Sequence, residues 1–189
     1  IVEGVMVFDD EYPHAPQPLD LRLSRARDSK WAGKDLYSGF MFHGPSLQAV
    51  ASMEKWGENG VTAILKAMPF KNLFAGYSGK QFLSDPVILD AAGQVIAYWT
   101  SDHLDSGFHI FPFRLEALDI YGPCMSVPQK AECKAAIRLI GDTQVSSDID
   151  ILDGAGFLTL RLKGWWDRRF DMPESSYRIR SSIPGNMLS

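Results

Sequence analysis

Asp90 and Gln94 stand four residues apart in Asp85-Pro86-Val87-Ile88-Leu89-Asp90-Ala91-Ala92-Gly93-Gln94, a stretch otherwise almost wholly apolar. Residues four apart on a helix share a face. A carboxyl held beside a carboxamide could give, take or hold a proton at a bound substrate. Burying both groups is costly unless each is hydrogen-bonded. On residue type alone, a satisfied structural pair is the competing explanation. The other candidates for proton chemistry are His14, His43, His103 and His109. His43 precedes Gly44-Pro45 and reads as a turn or packing histidine. His103 and His109 lie near Asp102 and Asp105 in what reads as a solvated polar loop. Their spacing fits no standard ligand set, so no metal is expected. Cys124 has no basic neighbour in sequence and reads as a buried thiol, not a nucleophile.

The elements that would position these residues follow from hydrophobic period. Asp85 suits an N-cap and Pro86 the first helical position. A helix over 86–100 would be apolar on nearly every side, so other structure must enclose it. Residues 131–140 alternate, with Ala131, Cys133, Ala135, Ile137 and Leu139 on one face. Residues 145–151 and 157–163 also alternate, and 111–121 reads as a further strand. Residues 47–56 and 61–68 flank Gly57-Glu58-Asn59-Gly60, a hairpin turn. Residues 69–84 read as loop. Period-two patterning with one wet face indicates an antiparallel sheet. The pattern alone gives an α+β domain, a sheet packed on one long helix.

The flanks differ from this core. Residues 1–9 alternate loosely and favour a strand. Three prolines in 10–20 make an extended linker. Residues 21–36 read as loop with a short helix. Residues 164–189, opening Gly164-Trp165-Trp166, read as an extended tail. The expected division is a strand and linker over 1–36, a domain over 37–163 and a tail over 164–189.

Composition narrows the function classes. The 189 residues are 46% hydrophobic and 22% charged, as in ordinary globular proteins. A net charge of −4 leaves no basic footprint for nucleic acid. No apolar run approaches the ~20 residues of a membrane helix. The start, Ile-Val-Glu-Gly-Val-Met, has neither an initiator Met nor a signal-peptide pattern, so a piece of a longer chain is expected. Two cysteines are too few for a disulfide framework, which makes a reducing cytoplasm the default location.

His43-Gly44-Pro45-Ser46-Leu47-Gln48 followed by the Asp85–Gln94 stretch resembles the dehydratase domain of modular polyketide synthases and polyunsaturated fatty acid synthases. The second of that family's two fused hot-dog repeats has an aromatic-Gly-Pro-x-aromatic-Gln element. A His-Pro-x-x-x-Asp-Ala-Ala-x-Gln/His helix start follows it. Phe111-Pro112-Phe113 and Trp165-Trp166-Asp167-Arg168-Arg169-Phe170 also look like the family. The likeness spans roughly residues 40–170. It departs in three places: Asp85 replaces the usual His, and His43 and Leu47 stand where aromatics are common. None of the four histidines has the His-x-x-x-Gly-x-x-x-x-Pro surroundings of the first repeat's catalytic histidine.

The resemblance implies a hot-dog fold, a curved antiparallel sheet wrapped around the central helix. It implies loss of water from a β-hydroxyacyl thioester carried on the phosphopantetheine of an acyl carrier protein, with no cofactor of the domain's own. Asp90 would protonate the departing hydroxyl, burial having raised its pKa, and Gln94 would orient it. His43, Gly44, Pro45, Leu47, Pro86 and Ala91 would line the substrate tunnel. The carrier protein and neighbouring synthase domains would be its partners. A second copy would be a further partner, since a lone hot dog leaves apolar surface uncovered. With the first repeat's histidine missing, the fragment would be inactive alone. Three other readings stay open: a product-template-type cyclisation domain, a homodimeric hot-dog thioesterase and a non-catalytic binding module.

Overall fold

Asp85 caps the long helix as its sequence suggests. Its Oδ1 accepts hydrogen bonds from the Val87 and Ile88 amides at 2.9 and 3.1 Å. In the computed structural model, which describes residues 3–31, 35–38, 41–70, 73, 82–104 and 108–171, this helix runs Pro86–His103. We label it α2, after a short α1 over Asp35–Ser38. Seven strands form one antiparallel sheet: β1 Arg27–Asp28, β2 Val50–Gly57, β3 Gly60–Lys66, β4 Phe108–Ile120, β5 Lys130–Ile140, β6 Gln144–Leu152 and β7 Leu158–Asp171. Their order is β1-β2-β3-β5-β6-β7-β4.

The sheet curves around α2, which is the hot-dog arrangement. Val87, Ile88, Ala91, Ala92, Val95, Ile96, Tyr98 and Trp99 are fully buried on the helix. Small residues meet them at the sheet centre, where Ala63 pairs with Cys133 and Val61 with Ala135. Small side chains there let the helix axis approach the sheet. One stripe of α2 stays half open: Pro86, Asp90, Gly93 and Ala97, spaced three and four apart. Asp90, Gly93 and Ala97 of that stripe face the cavity described below.

The hairpin turn at Glu58-Asn59 and the alternation of β5 agree with the sequence patterns. Both flanks depart from them. Residues 3–9 form no strand and are exposed, since the alternating pattern finds no partner edge there. The 17–28 segment is more than linker. Arg161 donates to Gln17 O at 2.9 Å, and the Leu19 amide donates to Asp150 Oδ2 at 2.7 Å, on the outer face of the sheet. The segment then crosses the hairpin turn, where the Ser24 amide donates to Asn59 Oδ1 at 2.8 Å. It ends as β1, paired with β2.

The tail expected from residue 164 is instead the second half of β7. Ser147 pairs with Trp165 but Ile149 pairs with Leu162, so β7 holds an extra residue between them. Gly164 sits in this bulge with φ +57°, a conformation favouring glycine. The bulge reverses parity: Leu158, Leu160 and Leu162 face the core before it, and Trp165 and Asp167 face inward after it. The strand thus crosses the expected domain boundary at 163. Residues 172–189, the rest of that tail, lie outside the described residues, as does most of the 69–84 loop.

Candidate active site

Gln94 is nearly buried and fully satisfied. Its Nε2 donates to Leu47 O at 2.8 Å and to Asp90 Oδ2 at 2.7 Å. Its Oε1 accepts from the Tyr37 hydroxyl at 2.7 Å. Tyr37 Oη in turn accepts from the Val50 amide at 2.9 Å. Three elements therefore lock one amide: α1, the 3-10 turn Pro45–Leu47, and the start of β2. Replacing Tyr37 with Phe strands both the Val50 amide and Gln94 Oε1. Such a loss is expected to cost ~1–3 kcal/mol, measured by urea unfolding.

His43 Nε2 faces the same Asp90 oxygen across 3.4 Å. Phe42 stacks on the imidazole at 4.4 Å between centroids. The Gln48 side chain donates to His43 O at 2.9 Å and fixes the turn. His43 Nδ1 is buried without a hydrogen-bond partner among the described residues.

The expected rise in the Asp90 pKa is overturned. Burial does push this carboxyl up, but hydrogen bonds from His43 and Gln94 and the charge of His43 pull harder the other way. The net direction is below the ordinary value. Its side chain is 36% exposed, so the burial contribution is only partial. Asp90 rests as a carboxylate at neutral pH.

These groups open on a cavity of about 240 Å³ between α2 and the paired strands β4 and β7. Its wall includes His43, Asp90, Gly93, Gln94, Ala97 and Trp165, with Met41, Phe42, His109 to Pro112 and Asp167 completing it. The wall is mainly apolar, with a few converging polar groups, as small-molecule sites are. Gly93 has a role in its shape. A Cβ there would fall 2.9 Å from the Trp165 indole, so only glycine lets that ring lie on the helix.

The expected site residues divide into four groups. Asp90, Gln94 and His43 meet in the cavity. Gly44, Pro45 and Leu47 do not line it: the turn they form holds His43 and offers Gln94 its carbonyl acceptor. Pro86 lies on the open stripe one turn before Asp90, outside the cavity wall. Ala91 is fully buried in the core, since one residue along a helix turns the side chain away from the Asp90 face. Gly93 and Ala97 supply the small wall instead.

Other cavity residues were missed in sequence. His109 belongs to β4 and lines the cavity, not a solvated loop. Asp167 is 2% exposed, and its Oδ2 has no hydrogen-bond partner among the described residues. Burial pushes its carboxyl up to about 7, with the nearby Trp165 indole pulling weakly down. His103 is exposed and stacks on Trp99 at 4.7 Å. Cys124 Sγ lies 3.1 Å from Phe82 O, and burial raises its pKa, which fits an inert thiol. Among the described residues no three His, Cys, Asp or Glu side chains converge as a metal site.

Comparison with known proteins places this geometry. Residues 11–174 match the family described as polyketide synthase dehydratase N-terminal domain. The dehydratase domain of PpsC from Mycobacterium tuberculosis, solved in complex with C12:1-CoA, is similar at TM-score 0.61 and 19% identity, covering 85% of this chain and 56% of that one. The dehydratase domain from the CurH module of curacin polyketide synthase gives 0.52 and 25%, covering 68% and 43%. That from the CurJ module gives 0.53 and 18%, covering 68% and 44%. This chain therefore spans about half the length of these solved domains, and at such identities the likeness establishes the hot-dog fold. With the family match running through every element of the sheet and through Asp90 and Gln94, the chain belongs to the polyketide synthase dehydratase family.

Proposed function

We propose that this chain is one hot-dog half of a dehydratase domain that removes water from a β-hydroxyacyl thioester on an acyl carrier protein. The motif order of residues 43–48 and 85–94 supports the second half, whereas the matching family is described as an N-terminal domain. The observation that carries the reading is Asp90, locked by Gln94 and facing His43 on the wall of an apolar cavity. The acyl thioester bound by the PpsC dehydratase domain is consistent with it.

The reaction needs a base for the α-proton and an acid for the departing hydroxyl. Asp90 is the residue at the hydroxyl. As the acid it gives the departing hydroxyl a proton, which it takes up when substrate fills the cavity and completes the burial of the carboxyl. Gln94 keeps the carboxylate in place on the wall of the cavity of about 240 Å³. The α-proton base comes from the other repeat of the parent domain, so the 189-residue chain alone does not turn over. The carrier protein presents the substrate, and the domain uses no cofactor of its own. The apolar rim around Phe111, which is partly exposed, is covered by the other repeat or by a second copy of this chain.

The test is mass analysis of the intact synthase after supply of a carrier-bound β-hydroxyacyl substrate. The expected product is 18 Da lighter on the carrier, with an α,β double bond (the mass of one water). A cyclised product would replace this reading with a product-template role. Release of free acid by the isolated chain would replace it with a thioesterase.

A further inference from the structure

We propose that Trp165 sets the substrate class of this cavity: β-hydroxyacyl groups whose carbinol carbon carries a slim, unbranched substituent. This rests on the dehydratase reading and deepens it, because the carbon in question is the one whose hydroxyl meets Asp90.

Two glycines place the indole. Gly93 is its seat. A Cβ there would fall 2.9 Å from Trp165 Cζ2 and 3.4 Å from Cη2, so the outer ring of the indole lies against the helix backbone. Glycine inside a helix is less stable than alanine, and here its missing Cβ is what admits the ring. Gly164 aims the side chain. Its φ of +57° lies in the left-handed region that favours glycine. The bulge it forms turns Trp165 from the outer face of β7 towards α2.

The ring then stands beside the reacting carbons. Asp90, Gly93 and Ala97 follow one another along the wall of the cavity. Residues three apart on a helix have Cβ positions about 5–6 Å apart. An indole seated on Gly93 is therefore the next group along from the Asp90 carboxyl. A hydroxyl held at Asp90 brings its carbon, and whatever that carbon carries, against the ring. At this level the helix offers no side chain, and the sheet offers the bulkiest of all side chains.

The ring is also held from behind. Trp165 packs against the hydrophobic core, and close-packed interiors resist displacement. A branched group gains no room by pushing it back, whereas a straight chain can run along its face. A tryptophan that only filled the core would be enclosed on every side. This one is partly buried and lines the cavity. The selection is by shape, since the contact is apolar on both sides.

The experiment supplies the intact synthase with two carrier-bound β-hydroxyacyl groups, one bearing a methyl and the other a tert-butyl group on the carbinol carbon. It measures kcat/KM for loss of water from each. Wild type is expected to favour the methyl substrate by about a hundredfold. Trp165→Ala is expected to shrink that preference by about tenfold or more. Trp165→Phe should fall between the two. Gly93→Ala pushes the indole off the helix into the cavity and should widen the preference. In a Trp165→Phe background the same alanine should change it little, because the outer ring it meets is gone. A merely structural role would lower both rates together and leave their ratio alone. An active Trp165→Ala form with the wild-type ratio overturns the proposal and leaves the dehydratase reading standing. Wild type that dehydrates both substrates equally well also overturns it, and that result needs no variant to fold. A wild-type synthase that dehydrates no β-hydroxyacyl group overturns the dehydratase reading and the proposal with it.

Discussion

Asp90→Asn in the intact synthase is expected to lose ~10²–10⁴-fold of dehydration while keeping its fold. Asparagine nearly matches aspartate in shape, and its carbonyl can still accept the Gln94 Nε2 hydrogen bond. The Tyr37–Gln94–Leu47 network is therefore retained, so the variant should still fold at pH 7, less stable only by the contribution of the ionised carboxylate. What disappears is the ionisable carboxyl that faces His43 and would meet the substrate hydroxyl. A pH series separates these effects. The folded Asp90 pKa is depressed, so its stabilising contribution is present above the unfolded value of 3.8 and is lost as pH falls through the folded one. The asparagine variant lacks that acid-side loss. Asp90→Asn and Gln94→Leu should also be non-additive, because each acts on the same oxygen. Wild-type dehydration by the asparagine variant would sink the assignment of Asp90.

The parts of this site legible in sequence are those set by local period. Asp90 and Gln94 are one helical turn apart, and the Asp85-Pro86 cap fixes the helix start, so their shared face follows from spacing alone. The core face of β5 is equally local. The contact between His43 and Asp90 spans 47 positions and depends on how the 3-10 turn docks against α2. No pattern within a strand or helix encodes that distance. The sign of the Asp90 shift is not legible for the same reason: burial follows from the apolar neighbours, but the opposing imidazole does not. Asp167 was hidden differently. Alternation through Leu158, Leu160 and Leu162 breaks at Gly164, and a broken alternation reads as the end of a strand. A single glycine followed by Trp165 and Asp167 in renewed alternation was the available signal for a bulge.

Removal of Asp150 is expected to be among the most destabilising changes outside the core, at ~3–5 kcal/mol for Asp150→Ala. Asp150 is 0% exposed although it lies on the outer face of the sheet. Its two oxygens accept from Arg161 Nε and Nη2, each at 2.7 Å, and Oδ2 also accepts the Leu19 amide. The 17–28 segment covers this pair. Losing the carboxylate leaves a guanidinium only 14% exposed without its hydrogen-bonded partner, with Asp119 across the strand as a weaker neighbouring charge, and it strands the Leu19 amide. The double change Asp150→Val with Arg161→Leu removes both charges and should recover most of the loss, because well-packed apolar residues can replace a buried pair at little cost. It does not restore the acceptor for Leu19 or the donor for Gln17 O. Stability and strap attachment should therefore separate. Urea unfolding of the double variant would approach wild type, while limited proteolysis cuts it faster near residues 10–20. Equal cutting of wild type and both variants would show that the ion pair does not hold the segment.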